Sequence, residues 1–379
     1  MLTAIGQRHV PVYQGAAKAL HREALHPPAD IHGATGIDGT TLLPEPLAPI
    51  ISPATTDPDS PRSTPAVRAM ATALRATAPG TAWVVATGCL TNVAALFLEH
   101  PDLAAHVAGV SAMGGAVGGG FTDAFLGPPL KIIDGDGVDT GEIDRIGNWT
   151  VWAEWNILAD PEAARLVLGD IPGLKGKVTL VPLDLTHQVL ATPDARKLLL
   201  WGPGWRDMSM KTDTGMGKTQ LRTMVIELLM FFASTYESVP APPILAVHAD
   251  VSIYFSDRNV FNIPNPPLHD PLAILAVLAG TQHDIPFFDW DTRKRGVIPT
   301  ERFAVSVVTE GTHEEAIRMQ ASGGPQTGRT VVEALPEGEP GVKIPRGLNL
   351  DQFWVVLEQC LERADEAIVH SGKFMSHLN

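Results

Sequence analysis

Short apolar runs rich in Val, Ile and Leu alternate along the chain with longer stretches of helical periodicity. That is the pattern of parallel strands joined by helical crossovers. Residues 82–87 (AWVVAT) predict a buried strand, Gly88 a turn, and 91–100 (TNVAALFLEH) a helix, with Pro101-Asp102 opening another. Residues 107–113 (VAGVSAM) predict the next strand, running into the glycine-rich GGAVGGG. The segment DPEAARLVLG predicts a helix capped by Asp160, with Pro161 at its first position. A further strand is predicted over 178–183 (VTLVPL), which places the polar tail DLTHQ at its carboxyl end. HDPLAILAVLAG reads as a short apolar helix, FAVSVVTEG and GRTVVE as a hairpin or edge pair, and 350–369 as a terminal amphipathic helix.

Between these elements, residues 118–147 are rich in Gly and Asp with little periodicity, which predicts a long excursion loop. Residues 203–220 and 255–268 are turn-rich breaks. No linker of distinct composition divides the chain, so the expectation is one domain over 1–379, with an inserted loop at 118–147 and a helical extension at about 350–379. The predicted fold class is α/β, an open, mostly parallel sheet flanked by helices. Sheets of that kind bind ligands beyond the carboxyl ends of their strands, where the polar clusters of this chain fall.

Composition narrows the function classes. Lys and Arg total 28 against 42 Asp and Glu, a net charge of −14, which argues against a nucleic-acid-binding protein. Two cysteines, Cys89 and Cys360, are too few for a disulfide scaffold and lack metal-ligand spacing. The N-terminus has no charged segment followed by an apolar one, and no apolar run has the length of a membrane span. The expectation is a soluble, cytoplasmic protein with no membrane partner.

Four polar clusters interrupt apolar runs at predicted strand ends: Asp30 and His32, Thr87 to Asn92, Asn148 to Asn156, and His269-Asp270. Asp270 reads either as a helix cap before Pro271 or as an oxygen ligand for a hard cation. His269 beside it can donate a proton near neutral pH, or can be a structural histidine. Asn148, Glu154 and Asn156 offer paired donors and acceptors for vicinal hydroxyls, or ordinary turn and cap chemistry. Trp152 and Trp155 flank Glu154 and can stack on a planar base or pack in the core. Two motifs fail. GMGKT at 215–219 ends like a phosphate-binding loop, but Thr212 stands where that loop needs Gly, and GGAVGGG is followed by FTDAFLGPP instead of a helix.

In order along the chain, VPVYQGAAKAL (10–20), IHGATGIDG (31–39), VVATGCLTNVAAL (84–96), VSAMGGAV (110–117), AEWNILADPEAARLVL (153–168), VTLVPLDLTHQVL (178–190) and HDPLAILAVL (269–278), with a weaker GRTVVE (328–333), resemble the inosine-uridine preferring nucleoside hydrolase family. The resemblance implies hydrolysis of the N-glycosidic bond of a ribonucleoside to free base and ribose, assisted by calcium. It implies that the Thr87 carbonyl and Asp270 ligate the metal, that Asn148, Glu154 and Asn156 hold the ribose hydroxyls, and that His269 assists departure of the base. Trp155 matches an aromatic position of the same motif, and His32 a histidine near the pocket mouth. A homodimer or homotetramer is implied as well.

One part of the family pattern is missing. The family opens with a strand ending in an aspartate-rich DxDxxxDD motif that supplies the general base and further calcium ligands, whereas the first aspartate here is Asp30, already within the IHG segment. Three accounts compete: an incomplete chain, a short paralogue that keeps the ribose pocket without turnover, and completion of the site by Asp134, Asp136 and Asp139 of the insertion. The expectation is a sheet lacking the family's first strand, weakly bound or absent calcium, and impaired hydrolysis. The alternative is a catalytically silent nucleoside-binding or interaction protein of the same fold.

Overall fold

A computed structural model describes residues 1–26, 33–52, 64–133, 139–207, 217–234, 244–245, 265–289, 300–318 and 324–376. At its centre three parallel strands, Trp83–Ala86, Gly109–Met113 and Val178–Val181, lie side by side in that order. Each is the short apolar run the sequence predicts, and each is followed by a helix or turn at its carboxyl end. Val110 pairs with Val84 on one side and Val178 on the other. The close approach depends on Gly109, because a Cβ there would meet the Trp83 ring at 2.4 Å and the Lys177 carbonyl at 2.7 Å.

Alternation along the strands divides the core into two layers. On one face Val84, Ala86, Val110, Ala112, Val178 and Leu180 pack with the helices Pro65–Arg75, Thr91–Glu99 and Pro161–Arg165. On the other, Met113 and Val181 join Leu272 and Ala273 of the helix Asp270–Leu275 and Phe353 of the long helix Leu350–Ser376. Ser111 faces this second layer and donates to the Ala273 carbonyl at 2.7 Å, fixing the Asp270 helix across the sheet. Helices on both faces and parallel central strands match the predicted class.

The third strand is extended by a parallel bridge to Lys343, with Leu180 N–H donating to the Lys343 carbonyl at 2.8 Å. Among the described residues nothing pairs with the outer edge of Trp83–Ala86, and Val85 is 36% exposed there. Phe303–Val307 and Thr330–Ala334 form the predicted antiparallel pair. The terminal helix runs longer than its periodicity indicates, and Glu358 and Asp365 on it hold the wholly buried Arg222 through ion pairs of 2.9 and 2.6 Å. Segment 118–147 departs from the expected irregular loop: Leu130–Ile133 and Asp139–Ile143 pair antiparallel, and Phe121, Leu126, Leu130 and Ile146 are buried. Among the described residues no helix is long and apolar enough to cross a membrane.

Candidate active site

The site is built where the first two central strands end. The chain from Gly147 to Glu154 folds back on itself: Ile146 and Gly147 N–H donate to the Val151 carbonyl, and Trp149 and Thr150 N–H to that of Ala153. Gly147 is required, since a Cβ there would lie 2.1 Å from the Ala153 oxygen. The turn brings Asn148 against the start of the helix Trp155–Ala159, where its Oδ1 accepts from Trp155 N–H at 2.9 Å. Glu154 caps that helix, its Oε2 accepting from Ile157 N–H at 3.2 Å and from Gly115 N–H at 2.8 Å. Two residues on, Asn156 Nδ2 donates to the Met113 carbonyl at 3.1 Å and makes a longer contact, 3.5 Å, with the Thr87 carbonyl. One amide thus ties together the carboxyl ends of two neighbouring strands.

Glu154 is 2% exposed, and burial pushes its carboxyl up to about 7 despite opposing hydrogen bonds from the Asn156, Gly115 and Ile157 N–H groups. The nearby Asp270 charge pushes the same way. Asp270 itself is raised to about 6 by the desolvation of its surroundings, although its side chain still reaches solvent at the rim. Of its two sequence readings, the helix cap is not what forms. His269 occupies the cap position without capping the helix through its side chain, and Asp270 lies in the first turn making no hydrogen bond among the described residues. A carboxylate there is favoured by the helix dipole and remains available to a ligand.

His269 meets the short helix Leu183–Thr186: its Nδ1 lies 2.7 Å from the Thr186 hydroxyl. Its ring is 5.6 Å from that of His187 and 6.1 Å, edge to face, from that of Phe232. His187 is buried, hydrogen-bonded through Nδ1 to the Phe125 carbonyl at 2.9 Å, and pushed down to about 4 by burial, so it is neutral at physiological pH. Asp184 grips the N–H groups of Val117 and Gly118 at 2.7 and 2.9 Å, fixing the glycine-rich segment against this helix. Sequence reasoning did not single out Thr186, His187, Asp184 or Phe232. The signal for three of them was the polar tail DLTHQ at the end of an apolar strand.

The remaining predicted residues divide. Trp155 packs edge to face on Trp149 with ring centres 4.2 Å apart, and Trp152 carries the Arg329 guanidinium 4.7 Å above its ring. His32 and Asp30 lie outside the described residues, as do Asp134 and Asp136. Asp139 is exposed and paired with Lys131 at 2.9 Å. Among the described residues no three His, Cys, Asp or Glu side chains converge on one point. The resemblance offers Asp270 and the Thr87 carbonyl as donors, whereas calcium takes six to eight oxygens. The described residues do not fit a tightly held calcium ion.

The family model for inosine-uridine preferring nucleoside hydrolases matches residues 1–355. The chain belongs to that family. Among curated relatives of this nucleoside hydrolase family member, the uridine nucleosidase of Saccharomyces cerevisiae is 28% identical over 371 residues, 97% of this chain and 83% of the yeast protein. The pyrimidine-specific ribonucleoside hydrolase RihA of Salmonella arizonae is 32% identical over 281 residues, 73% of this chain and 64% of that protein. The match thus spans under two thirds of the RihA relative. Solved structures share the fold: a purine-preferring ribonucleoside hydrolase from Gardnerella vaginalis has a TM-score of 0.55 at 20% identity, covering 97% of this chain and 83% of its own. An inosine-guanosine nucleoside hydrolase has a TM-score of 0.56 at 16% identity, covering 95% and 84%.

Proposed function

We propose that this protein binds a ribonucleoside at the carboxyl ends of the central strands and hydrolyses its N-glycosidic bond, with slow turnover by the chain of 379 residues. The observation that carries this reading is the set of polar atoms left over at the site. Asn148 keeps Nδ2 and Asn156 keeps Oδ1 free of hydrogen bonds to the described residues, and the Glu154 carboxylate keeps accepting capacity beyond the Gly115, Asn156 and Ile157 N–H groups that it meets. One donor and two acceptors on rigid supports suit the vicinal hydroxyls of ribose, each of which donates once and accepts once.

Glu154 and Asp270 then stand beside the sugar on which positive charge develops as the bond to the base breaks. Their ionised forms stabilise that charge. His269 supplies the proton that lets the base leave as a neutral molecule. No described side chain is assigned to activate water, and lack of a general base costs about 10²- to 10⁴-fold in rate. The exposed apolar strand pair Val12–Tyr13 and Ile50–Ile51 supports assembly as a homodimer or homotetramer of single-domain chains.

Incubation with inosine and uridine, with and without calcium, tests the reading by chromatography of free base and by binding calorimetry. Binding with base release above the protein-free rate is the expected result. Binding with no release identifies the silent member of the fold that the short set of carboxylates favours, and neither binding nor release refutes the proposal.

A further inference from the structure

Asp184 is a buried carboxylate to which the chemistry proposed above gives no part. It is 1% exposed, and both of its oxygens are taken up by backbone: Oδ2 accepts from Val117 N–H and Oδ1 from Gly118 N–H. Burial pushes the carboxyl up, and these two bonds oppose that shift. Two successive N–H groups converging on one carboxylate make a concave anion site in the backbone. Here the anion is the protein's own side chain.

The segment that Asp184 grips is the GGAVGGG run, which failed as a dinucleotide loop and which leads from the end of the strand Gly109–Met113 into the site. Gly114 N–H donates to the Val181 carbonyl at 3.1 Å, and the Gly115 carbonyl accepts from Leu183 N–H at 2.9 Å. Gly115 N–H is left for Glu154, whose Oε2 it meets at 2.8 Å. Gly115 lies at φ +80°, the left-handed region that glycine enters without strain. The turn that presents this N–H is therefore held at one end by the strand and at the other by the Asp184 carboxyl. Asp184 is held in its turn, its carbonyl accepting from Thr122 Oγ1 at 2.7 Å and from Gln188 Nε2 at 2.8 Å.

We propose that Asp184 is a positioning residue: by clamping Val117 and Gly118 it holds the glycine-rich turn so that Gly115 N–H fixes the Glu154 carboxyl for the ribose. The last step rests on the nucleoside-binding reading above. An amide at position 184 discriminates, because it keeps one acceptor and sets an N–H₂ group against the other backbone N–H.

The test compares the full native chain with Asp184→Asn, first by hydrogen exchange read by mass spectrometry. Residues 114–118 are expected to be protected in the native protein. Asp184→Asn should speed their exchange about tenfold, the net worth of one hydrogen bond, and leave residues 109–113 at the native rate. Calorimetry then compares inosine with 2′,3′-dideoxyinosine, which lacks both vicinal hydroxyls. Asp184→Asn should lower the native preference for inosine about threefold or more, and should lower it no further in the Glu154→Gln background. Rapid exchange of 114–118 in the native protein overturns the proposal with no variant needed. So does native exchange there in Asp184→Asn, or loosening spread equally into 109–113. A preference that Asp184→Asn leaves unchanged, or lowers equally with and without the Glu154 carboxyl, overturns the route through Glu154. A native protein that binds neither nucleoside, or both equally, overturns the functional reading instead, and the exchange rates still decide whether Asp184 holds the turn.

Discussion

Glu154 offers the sharpest test of the site's electrostatics, through stability as a function of pH. Its folded value, about 7, stands above the ordinary 4.5 because the carboxyl is buried. Between those two values Glu154 is more protonated in the folded protein than in the unfolded chain, so its contribution to unfolding free energy falls as pH rises through about 4.5 to 7 and is flat on either side. At about 1.36 kcal/mol per unit, a rise of roughly 2.5 units gives a loss of about 3 kcal/mol across the window. Glu154→Gln keeps an acceptor for the Gly115 and Ile157 N–H groups and has no charge to bury, so the share of the loss due to Glu154 should disappear, leaving that of Asp270, itself raised to about 6 by desolvation. Urea midpoints of native and Glu154→Gln proteins, measured in half-unit steps from pH 4.5 to 8.5, give the difference directly. The variant should gain on the native protein as pH rises, by up to about 3 kcal/mol at the alkaline end. A difference that stays constant, or that changes in the opposite direction, refutes the burial argument.

Other outcomes follow from the same contacts. Asp270→Asn removes the charge that helps raise Glu154 and should make the pH-dependent loss in the native background smaller, as read by the same urea series. Asp160 is wholly buried and accepts from Ala163 and Leu20 N–H and from the Thr91 hydroxyl, so Asp160→Ala should cost about 3 kcal/mol or more in thermal unfolding, with Asp160→Asn costing less. Arg222→Leu leaves Glu358 and Asp365 buried without their cation and should destabilise by about 3 to 5 kcal/mol in urea. Calcium at millimolar concentration should leave the melting temperature of the 379-residue chain within error, because among the described residues no three His, Cys, Asp or Glu side chains come together to hold it.

The sequence was most informative where one local pattern decides the structure. The runs VAGVSAM and VTLVPL are buried on both faces, so their composition alone marks them as parallel strands of the sheet. Asp160-Pro161 carries its own cap chemistry and folds as read. The helix Gln220–Ala233 was hidden because its LLMFFA end is apolar on nearly every position, and its polar Arg222 is explained only by carboxylates more than a hundred residues away. Segment 118–147 looked irregular because Gly141 and the aspartates break the alternation of its two strands. The site divides in the same way. Asn148, Glu154 and Asn156 share one turn and one short helix, so their proximity is visible in spacing. Thr186 and His269 are 83 residues apart and meet only through the packing of two helices at one end of the sheet. The rise of Glu154 to about 7 is likewise a property of the assembled pocket.

The central claim is that Asn148, Glu154 and Asn156 recognise the paired hydroxyls of a ribose. The most direct measurement is calorimetric affinity for uridine and inosine against their 2′-deoxy counterparts, in the native protein and in Asn156→Ala. A site built on these polar atoms should prefer the ribonucleosides by at least about tenfold, and Asn156→Ala should reduce the preference. Equal affinity for ribo- and deoxyribonucleosides in the native protein would contradict the account.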